Sequence, residues 1–127
     1  NYCQTSANSA GPGALISWGG STDVTDSNFD LFASGSVPNQ FGLFFYGYAP
    51  GQAPVGNGFL CISGSFYRLS PVKADAFGTA AFSVDFSNLP NNGPLTNGTT
   101  AYFQWWNRDP GVGATYNFSD GIEITYQ

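Results

Sequence analysis

Apolar and polar residues alternate along much of the chain with a period of two, the pattern of strands that bury one face. Phe29, Leu31 and Ala33 alternate with Asp30, Phe32 and Ser34. Ala80, Phe82, Val84 and Phe86 alternate with Thr79, Ala81, Ser83 and Asp85, and Ile122, Ile124 and Tyr126 with Glu123, Thr125 and Gln127. Two stretches are apolar on both faces. Gln40 to Tyr48 sets Phe41, Leu43 and Phe45 against Phe44, Tyr46 and Tyr48. Thr100 to Asn107 sets Ala101, Phe103 and Trp105 against Tyr102, Gln104 and Trp106. Such strands are central in a sheet, or present their second face to a partner.

Shorter signals fill the remainder. Ala14 to Trp18 reads as a first strand ended by Gly19-Gly20, and Phe59 to Ile62 and Phe66 to Leu69 flank Ser63-Gly64-Ser65 as hairpin arms. Ala49 to Gly58, with Pro50 and Pro54, is expected to be the longest irregular loop, and Leu89 to Gly98 a turn region. Asp120-Gly121 reads as a tight turn leading into the last strand. No window holds a helical period. About eight strands at regular spacing predict an all-β fold, a single antiparallel β-sandwich of jelly-roll type. It spans 1–127, with 1–13 as a polar N-terminal arm.

Composition narrows the function classes. Charged residues make up 9% of the 127, and Arg68, Lys73 and Arg108 are the only cations against a formal charge of −5. Nucleic acid is excluded as a partner, because phosphate neutralisation needs several basic residues on one face. No apolar run approaches the roughly 18 residues of a membrane span, so membrane insertion is not expected. The chain has no His, which removes the usual general base, the Ser-His-Asp and Cys-His pairings and the commonest zinc ligand.

Cys3 and Cys61 are the only cysteines. Low charge with abundant Asn, Ser, Thr and Gly suits an extracellular or cell-surface protein, and favours a Cys3–Cys61 disulfide tethering the arm over two buried thiols. The start Asn1-Tyr2-Cys3 has no signal-peptide character, so a secreted form would be the mature one after signal removal.

Candidate chemistry is sparse. Asp109, Asp120 and Glu123 are the carboxylates from which a glycosidase-like pair would have to come. A sandwich of this length leaves little chain for a catalytic cleft, and the chain reads as non-catalytic. Asp23, Asp26 and Asp30 offer oxygen ligands for calcium as a cofactor, but lack the spacing of a calcium loop; turn chemistry accounts for the same residues. Arg108 is expected to pair with Asp109 or Asp120, or else to join Trp105 and Trp106 in a ligand site. Asn97 and Asn117 head glycosylation triplets and are expected on turns. The strongest signal is aromatic: Tyr46, Tyr48, Tyr102 and Trp106 lie on the second faces of the two doubly apolar strands, as candidates for a subunit interface or for stacking on a sugar.

Several stretches together carry a resemblance: Asn1-Tyr2-Cys3, Asn39 to Gly47, Gly56 to Cys61, Arg68-Leu69, Phe103 to Pro110 and Asn117 to Ile122. The chain resembles an uncharacterised extracellular β-domain that recurs, often C-terminally, in secreted and surface proteins of planctomycetes and myxobacteria. The resemblance implies secretion and the Cys3–Cys61 pairing, and carries no activity. Members tend to have an aromatic residue where this chain has Asn107. The expected function is a structural module that associates with itself, the arm lying along a neighbour's strand edge, as in the repeating subunit of a surface fibre. The alternative is a carbohydrate-binding module that holds a polysaccharide on exposed Tyr and Trp.

Overall fold

The computed structural model describes residues 1–127. The strands are β1 (Leu15–Gly20), β2 (Phe29–Ser34), β3 (Phe41–Gly47), β4 (Pro50–Val55), β5 (Gly58–Ile62), β6 (Phe66–Arg68), β7 (Val72–Lys73), β8 (Ala80–Ser83), β9 (Thr100–Arg108) and β10 (Tyr116–Thr125). A single 3-10 turn, Val24–Asp26, is the only helical element. The architecture is an all-β, antiparallel sandwich. A three-stranded sheet in the order β1-β2-β8 faces a five-stranded one in the order β10-β9-β3-β6, with β7 also paired to β3.

Eighteen buried residues fill the space between these sheets. Phe29, Leu31 and Ala33 point inward from β2, and Phe44 and Tyr46 from β3 meet Phe103 and Trp105 from β9. Phe29 sits at the centre, its ring in contact with Trp18, Phe86, Phe103 and Tyr126. Close packing leaves no room at Gly42, where a Cβ would stand 2.3 Å from the Trp106 carbonyl oxygen and 2.4 Å from the Trp105 ring. β3 is central, as two apolar faces require. Its second face carries Phe45 into a smaller cluster with Ile62 and Phe118, beneath a two-stranded ribbon of β4 and β5.

That ribbon corrects two expectations. Ala49 to Gly58 is not an irregular loop: most of it is strand β4, turning through Gly56-Asn57 into β5. Pro50 and Pro54 are tolerated because β4 pairs on one side only, with a register shift between Pro50 and Ala53. β5 and β6 are not hairpin partners either, since β5 pairs with β4 and β6 with β3. Asp120-Gly121 is likewise no turn. It lies inside β10, at a bulge where the pairing with β9 shifts between Phe118 and Gly121. Gly19 and Gly20 continue β1 opposite Asp30 and Phe29 instead of ending it.

Two buried phenols of the core make a contrasting pair. The Tyr46 hydroxyl donates to the Gly93 carbonyl, whereas the Tyr126 hydroxyl has no partner. Tyr46→Phe orphans the Gly93 oxygen and is expected to cost about 1–2 kcal/mol, while Tyr126→Phe removes an unpaid desolvation and is expected to be neutral or stabilising by up to about 1 kcal/mol. Urea unfolding of the two variants checks the difference in sign.

Burial also pushes the phenols of Tyr2, Tyr46 and Tyr126 well above the ordinary tyrosine value. Above the unfolded-state value of about 10, the unfolded chain releases protons that the native chain retains. Their contribution is therefore complete at neutral pH and is lost as pH rises beyond about 10. In an alkaline titration, the tyrosinate absorbance of these three residues is expected to appear only together with loss of the native circular dichroism.

Candidate functional site

The N-terminal arm is built into its own molecule. Tyr2 forms a two-way backbone bridge with Gly121, its N–H donating at 2.8 Å and its carbonyl accepting at 2.9 Å. The arm thus covers the outer edge of β10, which is otherwise an open sheet edge. Gly121 is required there, because a Cβ would stand 2.6 Å from the Tyr2 ring. The disulfide Cys3–Cys61 joins the arm to β5 across 58 residues. The Tyr2 hydroxyl donates to the Cys61 carbonyl beside it.

Beneath the disulfide lies a fully buried Gln104. Its Oε1 accepts from Cys61 N–H at 2.9 Å, and its Nε2 donates to the carbonyls of Phe59 at 2.8 Å and Ser119 at 2.7 Å. This one side chain therefore joins the ribbon, β9 and the β10 bulge. The aromatic pattern of β9 hides it, though a Gln on a doubly apolar strand is the kind of signal that marks a buried polar staple.

The acidic candidates serve the arm. Asp109 is fully buried and accepts from both the backbone N–H and the hydroxyl of Ser9. Asp120 accepts from Ile16 N–H at 2.9 Å and from Asn1 Nδ2 at 2.8 Å. The expected ion pair is therefore corrected: Arg108 is exposed, and both carboxylates are turned to hydrogen-bond donors of the arm and β1. Glu123 instead accepts from the Tyr102 hydroxyl at 3.0 Å, so the three carboxylates do not converge on a cleft.

Asn117 is also corrected. It is buried within β10, not on a turn, and its Nδ2 donates to the carbonyls of Ser6 and Ala7, which closes it to a glycosylating enzyme in the folded chain. Asn97 is exposed on a turn as expected, with its amide bonded to Asp23. Asp23 caps the 3-10 turn, accepting from Thr25 N–H. These bonds hold its carboxyl below the usual range, that from Asn97 foremost. Asp26 takes the Ser21 hydroxyl and Asp30 the Ser83 hydroxyl. The three are engaged separately, and no group of three potential ligands is gathered for a metal ion.

The four aromatic candidates do not form one platform. Antiparallel pairing places Tyr46 opposite Phe103 and Leu43 opposite Trp106, and paired residues share a face. Tyr46 belongs to the main core and is fully buried. Tyr48, on the same side, is 39% exposed and donates to the Pro94 carbonyl. Tyr102 and Trp106 lie on the opposite face. Tyr102 packs edge-on against Tyr2, while Trp106 is half-buried beside Tyr116, ring centroids 6.1 Å apart.

Trp106 lines an apolar groove. The groove, of about 480 Å³, runs between the β4–β5 ribbon and the second face of the five-stranded sheet. Leu43, Phe45, Leu60, Trp106, Tyr116 and Phe118 form most of its lining, and Phe66 and Arg68 stand at one end. Arg68 is the only charged side chain in the lining, and its guanidinium lies over the Phe66 ring at 5.6 Å. The groove offers no nucleophile, carboxylate or amide. It can shelter apolar surface and pair with one acid.

Comparison of the chain with family models, with curated proteins and with solved structures returns no match.

Proposed function

We propose that the chain is a non-catalytic, extracellular structural module that associates with copies of itself, as the repeating subunit of a surface fibre does. The observation that carries this reading is the groove: eight of its nine lining residues are hydrophobic. A sugar site needs placed polar groups to fix hydroxyl directions, whereas a lining of this kind suits the side chains of a protein. The partner argued for is a second copy, because the same chain leaves large apolar side chains outside, among them Phe41 at 53% and Leu15 at 49% exposure. With eleven charged residues in the whole chain, packed copies would repel one another little.

The disulfide supports the extracellular part of the reading. No helix is long and apolar enough to cross a membrane. Membership of the planctomycete and myxobacterial β-domain family is proposed on the sequence resemblance alone. The arm is assigned a different role from the one expected of it: it is bonded along β10 of its own chain, so association proceeds through side chains and not through a donated strand.

Electron microscopy and light scattering of the oxidised protein test the proposal. Filaments or large oligomers that grow with concentration are the expected result, and a monomer at millimolar concentration overturns it. One observation favours a second reading, carbohydrate binding: the half-exposed Trp106 and Tyr116 rings at the groove. Retention of the monomer on a polysaccharide, abolished by Trp106→Ala with the fold intact, would establish that reading instead.

A further inference from the structure

The most exposed large apolar side chain of the molecule is Phe77, 89% exposed in the loop between β7 and β8. Its loop is closed on itself. The Asp75 Oδ1 accepts from Phe77 N–H at 2.8 Å and Thr79 N–H at 3.0 Å, Asp75 N–H donates to the Thr79 carbonyl, and Gly78 N–H donates to the Asp75 carbonyl. Gly78, at φ +76°, lies so near the backbone of Ser36 that a Cβ would stand 2.2 Å from its carbonyl oxygen. The backbone of the loop is pinned to the body of the protein, and it holds the phenyl ring out into solvent as a knob.

The groove supplies a matching hole. An apolar cavity of roughly 150 Å³ takes a benzene-sized ring, so a groove of about 480 Å³ admits a phenyl group with space for its neighbours. Charge agrees with shape. The knob loop carries the exposed Asp75, whose Oδ1 alone is engaged by the backbone, and the hole carries Arg68 at its end with no carboxylate of its own in the lining. The two features also lie apart. The groove is on the outer face of the five-stranded sheet, whereas the Phe77 loop crosses from that sheet to the three-stranded one.

We infer that Phe77 of one copy seats in the Trp106–Phe66 groove of the next, with Asp75 of the knob against Arg68 of the hole. This inference rests on the self-association reading and specifies its contact. Because knob and hole occupy different places, the contact can repeat head-to-tail from copy to copy. An assembly built this way keeps one free knob at one end and one free hole at the other, and it extends as an open fibre unless the rotation between copies closes it into a ring.

Sedimentation velocity of the oxidised protein over a concentration series tests the contact, using Phe77→Ser as the knob variant and Phe66→Asp as the hole variant. Both positions are exposed, and native circular dichroism confirms that each variant folds. Arg68→Glu is the second hole variant, to be used if Phe66→Asp does not fold. Wild-type chains are expected to polymerise and each variant alone to stay monomeric. An equimolar mixture should give a two-chain species and nothing longer, since only one intact knob and one intact hole meet.

A mixture that stays monomeric overturns the inference. Variants that polymerise as the wild type does overturn it too, while leaving self-association standing. A wild type that remains monomeric at every concentration defeats the self-association reading itself, and this contact with it.

Discussion

Replacing Cys3 and Cys61 together by Ser is expected to lower the stability of the protein by about 4 kcal/mol, the chain-entropy value for a closed loop of this length. For a domain of this size the melting temperature should fall by roughly 15 °C. The loss has a local signature as well. The arm has almost no apolar residues of its own, and it is held by Tyr2, by the disulfide and by polar contacts of Asn1, Ser9 and Asn117. Without the bridge, the amide of Tyr2 and its partner at Gly121 should lose protection from hydrogen exchange before the core strands do. A melting shift of only a few degrees would mean that the polar stitching holds the arm by itself, and the disulfide would then be a lock on a structure already made.

Gln104→Leu is the second large effect. The substitution keeps the bulk and removes every polar bond of the side chain. Cys61 N–H and the Phe59 and Ser119 carbonyls then lose a partner in a place that water reaches poorly. Leaving such groups unpaired costs about 1–3 kcal/mol apiece, and a total loss of about 3 kcal/mol is expected once the ribbon shifts to recover part of it. Chemical denaturation measures the loss. Combining Gln104→Leu with the double Ser variant should cost less than the sum, because both changes release β5 from the sheet. Strict additivity would show that the amide and the disulfide hold the ribbon independently.

Much of the fold is legible in the sequence because it depends on period-two alternation. Phe29, Leu31 and Ala33 announce the buried face of β2, and the two apolar faces of Gln40 to Tyr48 announce a central strand. What alternation cannot reveal is which strand lies opposite which. Tyr46 and Trp106 each lie on the second face of their own strand as read from sequence, yet the register of β3 with β9 sends them to opposite sides of the sheet. Local turn chemistry misleads where a distant segment overrides it. Asp120-Gly121 has the composition of a turn, but Asp120 is there to accept from Ile16 and Asn1, and Gly121 to admit the Tyr2 ring.

The candidate site was legible in its materials and not in its place. Trp106 stands out from sequence, but Phe66 and Phe118, which meet it in the groove, come from strands whose pairing the local pattern does not give. β4 shows the same limit from the other direction. Two prolines argue against a strand, and only the one-sided pairing with β5 makes them compatible with it.

The arm also fixes the order in which the molecule can be completed. Asn1 and Tyr2 leave the ribosome long before their partners Asp120 and Gly121, which lie in the last strand. While a ribosome is still working through β9, the arm has nothing to close on and the outer side of the sheet is unfinished. Closure of the arm is thereby deferred until β10 has been made, and the long sequence separation of the pairing makes that step slow.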